Sequence, residues 1–180
     1  MSRKVVSVPT LQPLTDTDRA TVEAQLGRPA RGVAGVAWRC PCGKPGVLAT
    51  EPRLPDGTPF PTTYYLTCPR AVAAISTLES SGVMAEMNQR LSDDEALAAR
   101  YRAAHEAYLA DRDEIGSAAG LDVPEIAGVS AGGMPNRVKC LHALAGHALA
   151  AGPGVNPFGD EALDLIGEFW TRPCLEETDG

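Results

Sequence analysis

The spacing of apolar positions changes near residue 69, from short strand-like runs to helical recurrence. Ahead of that point Thr15–Leu26 (TDTDRATVEAQL) reads as a short helix, with Thr15 or Asp16 at its start and Gly27 and Pro29 at its end. Three β-type runs follow: Gly32–Cys40, Gly46–Thr50 and Thr62–Thr67. CPCGKPG and PRLPDGTPFP separate them, both dense in turn residues, and Asp56-Gly57 is a clear turn signal. Pro69 suits the first turn of a helix, where its missing N–H costs nothing. Ala71, Val72, Ile75 and Leu78 then recur at helical spacing, and Val83, Met84 and Met87 resume it after a break at Ser80-Ser81-Gly82. Ser92-Asp93-Asp94-Glu95 has the form of a capping box and opens a helix expected to reach Ile115. Its apolar face is Leu97, Tyr101, Ala104, Tyr108 and Ile115, which leaves His105 at the surface. After a Gly- and Ala-rich connection, Asn136 is expected to cap a helix from Arg137 to Ala151. A last helix is expected from Asp160 to Trp170.

This order of elements predicts an α+β fold: a small three-stranded antiparallel sheet packed against four to five α-helices. The sheet is too small to stand alone and needs a helix or a metal to hold it. The 180 residues suffice for one domain. We divide the chain into a flexible N-terminal segment (1–14), one α+β domain (15–172) and an acidic tail (173–180). The domain is sheet-rich over 32–68 and helical over 69–172. With 44% hydrophobic and 22% charged residues the chain is too apolar for wholesale disorder. No apolar run approaches the roughly 20 residues of a membrane helix. The start lacks the apolar core of a secretory signal, so the expected compartment is the cytoplasm.

The net charge of −7 is unevenly spread. Residues 1–70 carry nine Lys and Arg against five Asp and Glu, while 71–129 carry four against eleven. An acidic chain is a poor general binder of nucleic acid, because phosphate neutralisation supplies most non-specific affinity. The acidic 92–115 helix offers a face to a protein partner, although charge runs usually mark a solvated surface.

The five cysteines are Cys40, Cys42, Cys68, Cys140 and Cys174. An odd number in a chain with no secretory signal argues against a disulfide framework. Cys40-Pro41-Cys42-Gly43 lies between two predicted strands, where turn N–H groups can point at sulfur and stabilise thiolates. Cys68 ends the third strand, and in a meander it falls at the same edge of the sheet. Cys140, near the start of a helix, is expected to complete a four-thiolate site of Cys40, Cys42, Cys68 and Cys140. His142 and His147 are substitute ligands or acid/base groups, and Cys174 is set aside as a bystander. Zinc is the first candidate cofactor; an iron–sulfur cluster also takes four thiolates. The alternative is that Cys68 and Cys140 are buried apolar residues and that Cys40 and Cys42 are incidental.

Gly132-Gly133 feeding a helix start is a natural anion site, because free N–H groups and the helix dipole favour negative charge. Lys44, Arg70, Arg137 and Lys139 would crowd the same neighbourhood and suit a phosphorylated or carboxylated small molecule. Two enzymatic readings compete with a binding module. In one, the metal or cluster is catalytic, with His142 or His147 moving protons. In the other, a cysteine is the nucleophile. Cys140 and His142, two apart on that helix, stand about 200° apart and do not face each other. His142 and His147, five residues apart, cannot both point at one ion from a regular helix.

Two blocks, CPCGKPGVLATEPRLPDGTPFPTTYYLTCPRA and GGMPNRVKCLHALAGHALAAGPGVNPFGDEAL, carry a resemblance over roughly Leu14 to Trp170. The chain resembles the bacterial, mainly actinobacterial, domain-of-unknown-function five-hundred-and-one family. The resemblance implies a cytoplasmic bacterial protein and assigns no catalytic residue. The family's genes often neighbour those of a septum-formation initiator and an exopolyphosphatase, which implies division or phosphate metabolism by association alone.

Overall fold

A computed structural model describes residues 10–175. Helix α1 (Asp16–Leu26) leads into strands β1 (Val33–Arg39), β2 (Pro45–Thr50) and β3 (Tyr64–Leu66). Helices α2 (Pro69–Ser80), α3 (Val83–Asp93), α4 (Glu95–Ala119), α5 (Leu141–Ala151) and α6 (Pro157–Ile166) follow. The architecture is α+β: six helices and an antiparallel sheet in the order β1-β2-β3. Among the described part of the N-terminal segment, Gln12 pairs with Val36 at the outer edge of β1. Residues 1–9 of that segment and 176–180 of the tail lie outside the described residues.

All six positions of the central strand β2 are buried, so both faces of the sheet are covered. Alternation along the strand sorts the side chains. Leu48 joins Val36 and the α1 residue Val22, while Val47 and Ala49 join the main core with Tyr64, Leu66 and Leu144. Helix α5 is buried almost all round, as its apolar sequence LHALAGHALAA demands. Gly146 brings it against β3: a Cβ there would lie 3.1 Å from the Tyr64 carbonyl oxygen.

Three element boundaries depart from the sequence pattern. Ser92 and Asp93 finish α3, and the cap of α4 is Asp94, whose carboxylate accepts from the Leu97 N–H at 3.0 Å. Helix α5 begins at Leu141 rather than Arg137. The Asn88 side chain donates to the Val138 carbonyl (2.9 Å) and accepts from its N–H (2.8 Å), which holds Val138 away from helical pairing. Lys139 N–H is drawn back to Gly132 at 2.8 Å. Helix α6 starts earlier, at Pro157, under an Asn156 cap, and stops at Gly167, where φ is +62°. His105, expected at the surface, is 8% exposed and hydrogen-bonded to the Ser130 hydroxyl at 2.7 Å.

Candidate metal centre

The turn between β1 and β2 places Cys40 and Cys42. Gly43 takes φ +85°, and its N–H reaches back to the Cys40 carbonyl at 2.7 Å. Arg39 braces the turn by donating to the Gly43 carbonyl and by a two-pronged ion pair with Asp18 of α1, at 2.9 and 2.8 Å. The third sulfur comes from the end of the described chain. Cys174 lies 3.5 Å from Cys42, sulfur to sulfur, and the sulfurs of Cys40, Cys42 and Cys174 all fall within 4.8 Å of one another. This three-cysteine cluster can bind a metal.

Two contacts hold Cys174 there. Gln25 of α1 donates to the Cys174 sulfur (3.6 Å) and to the Pro45 carbonyl (2.8 Å). Arg70 of α2 donates to the Pro173 carbonyl at 3.0 Å. Cys68 caps α2 with no exposed surface, its N–H held by the Gly46 carbonyl of β2 at 3.3 Å, and its sulfur lies outside the group of three.

Electrostatics divide these thiols. Burial pushes Cys40 up to about 12 and Cys174 up to about 11. Burial also opposes ionisation of Cys42, but the N–H groups of Cys174 and Lys44 and the neighbouring thiols outweigh it and bring Cys42 down to about 7. One thiolate, at Cys42, thus opposes ionisation of the two thiols beside it, a conflict that a divalent cation relieves.

Cys140 stands elsewhere, in a second group with Glu79 and His142 whose ligand atoms lie within 4.8 Å of one another. On a helix running from Arg137, Cys140 would open beside the sheet and join the first cluster. With the helix starting at Leu141, Cys140 is its cap and turns toward α2. Cys174 takes the position at the first cluster. Nothing in the sequence marks it, since Cys174 follows the last helix in an acidic stretch with no ligand spacing. His147 is fully buried on α5, 3.1 Å from the Asn156 amide, and belongs to neither group.

The expected cations are dispersed as well. Arg70 is engaged at Pro173, and Arg137 and Lys139 are exposed in the loop before α5. The free N–H at the start of α5 receives an internal anion: Leu141 donates to the Glu79 carboxylate at 3.1 Å. Among the described residues, no helix is long and apolar enough to cross a membrane.

A family model described as a protein of unknown function (DUF501) matches residues 36–164, well over half of the chain. The chain belongs to the DUF501 family. The matched DUF501 region contains Cys40, Cys42, Cys68, Glu79, Cys140 and His142 and ends ahead of Cys174. No curated protein and no solved structure matches the chain.

Proposed function

We propose that this DUF501 chain is a zinc protein whose ion is held by Cys40, Cys42, Cys174 and Cys68 and has a structural role. The carrying observation is the close approach of three sulfurs from two distant stretches of chain. Tetrahedral zinc with Zn–S bonds near 2.3 Å sets its sulfurs roughly 3.8 Å apart. The 3.5 Å between Cys42 and Cys174 approaches that spacing and is far beyond a disulfide bond. An iron–sulfur cluster spreads its cysteines over several irons and so separates them further. Three sulfurs within 4.8 Å favour one ion.

Four thiolates around Zn²⁺ carry a net charge of −2. Lys44 and Arg70, each two residues beyond a ligand, supply compensating charge in this reading. Four sulfur ligands leave no open position for water, which assigns the ion to folding rather than to hydrolysis.

The test is elemental analysis with thermal melting. The purified protein should be colourless and hold one zinc per chain. Cys174→Ala should lose the zinc and drop Tm by roughly 6–12 °C, given a loss of about 3 kcal/mol. Cys140→Ala should keep it. Zinc retained in Cys174→Ala would overturn the ligand set, and visible absorption with stoichiometric iron would replace zinc by iron.

A further inference from the structure

The Glu79–His142–Cys140 group, at the C-terminal end of α2, has a different chemistry. Glu79 Oε1 is 2.8 Å from His142 Nδ1, while Glu79 Oε2 accepts from the Leu141 N–H. One carboxylate thus fixes both the ring and the start of α5. The other ring nitrogen, Nε2, lies 3.0 Å from the Ser76 hydroxyl and 3.3 Å from the Val72 carbonyl. With Nδ1 on a carboxylate and Nε2 on a carbonyl, both nitrogens face acceptors, and the imidazolium suits the site. Cys140 is partly exposed at the cap of α5, next to that ring. Its thiol is lowered first by His142, with the Ala143 N–H assisting and burial opposing. His142 is raised first by Cys140, against burial and with help from Glu79.

Cys140 and His142 open into a groove of about 320 Å³ whose other walls include Tyr64, Tyr65, Leu66 and Val72. Among the described residues no hydrogen bond engages the His142 backbone N–H, which lies on the first turn of α5 beside the sulfur. The groove wall is apolar, a nucleophile and a proton carrier stand at its rim, and an unpaired N–H lies next to them.

We propose that Cys140 is a nucleophile for an activated acyl group, a thioester or ester with a small apolar acyl chain, with His142 as its acid–base partner and Glu79 as a positioning residue. The sulfur forms a bond to the carbonyl carbon, and the carbonyl electron pair moves to oxygen. Collapse of that adduct breaks the bond to the leaving thiol or alcohol, which departs with the proton of His142. Water then attacks the S-acyl carbon while neutral His142 takes its proton. The carboxylic acid leaves, and the thiolate–imidazolium pair is restored. The site shares no residue with the zinc ligands, so its failure and theirs are separable.

The probe is p-nitrophenyl acetate on the full-length, metal-loaded protein. The expected result is a burst approaching one p-nitrophenolate per chain and an acetyl group mapped by mass spectrometry to the Cys140 peptide. Cys140→Ser abolishes that burst while zinc content and circular dichroism stay unchanged. His142→Gln slows acylation about a hundredfold or more. Glu79→Gln leaves the Cys140 adduct in place but moves the rising limb of its pH–rate profile, which a purely structural role would not do. Iodoacetamide at pH 6.5 supplies an independent reading: Cys140 is labelled faster than a free cysteine peptide. No acetyl group on Cys140, or labelling no faster than the free peptide, overturns the proposal.

Discussion

His147 is the residue whose protonation bears most directly on stability. It has no exposed surface, stacks on Tyr64 with ring centroids 5.7 Å apart, and meets Tyr108 edge-on at 5.0 Å. Nδ1 accepts from the Asn156 amide, which leaves the proton on Nε2 without a partner among the described residues. Burial therefore brings its pKa down to about 4 from the ordinary 6.5. The folded value lies below the unfolded one, so the stability it confers is present above pH 6.5 and is lost as pH falls toward 4. Converted through the shift, the loss is roughly 3 kcal/mol. His147→Phe keeps the aromatic stack and removes the proton acceptor. Urea melts at pH 7, 5.5 and 4.5 should show the native protein weakening more steeply than the variant. Parallel losses would place the acid sensitivity elsewhere.

Between elements, the tightest joint is α5 against α6. A Cβ on Gly159 would overlap the Leu144 carbonyl oxygen, and backbone cannot swing aside as a side chain can. Gly159→Ala should cost about 2–3 kcal/mol by overpacking, read as a lower denaturant midpoint in guanidinium. An unchanged midpoint would mean that the two helices do not approach this closely. The elements themselves were legible in the sequence because each answers to local rules. Alternation gave the three strands, and the Ser80–Gly82 break separated α2 from α3. The start of α5 was not legible, because it depends on Asn88 gripping Val138 from 50 residues away. The same long-range clamp makes Cys140 a cap, and from there its sulfur comes within 4.8 Å of a His142 ring nitrogen, which two positions inside one helix would not allow. His105 escaped detection for a related reason, since its partner Ser130 lies on a loop that periodicity does not describe.

At the scale of the whole molecule, the segment after α6 returns to the sheet. Phe169 packs against Trp38 of β1 with ring centroids 6.2 Å apart, and Cys174 reaches the β1–β2 turn five residues later. Cys40 and Cys42 were legible as a pair on the first turn of a meander, because the strand order follows from local alternation. Cys174 as their neighbour was not, since nothing in its spacing says which surface the segment after α6 crosses. That path is set by Gln25, Arg70 and the aromatic contact, which α1, α2 and the sheet supply from distant parts of the sequence. Under the proposed zinc reading, a metal at this point would join the β1–β2 turn to the tail, so its removal should loosen the tail before it melts the core. Chymotrypsin reads this directly, because Phe169 is 9% exposed. A zinc chelator should raise cleavage at Phe169 severalfold while the helical circular dichroism is retained, and added zinc should reverse both the cleavage and any shift in Trp38 fluorescence. Equal cleavage with and without chelator would mean that aromatic packing alone holds the tail and that the sulfurs meet without an ion.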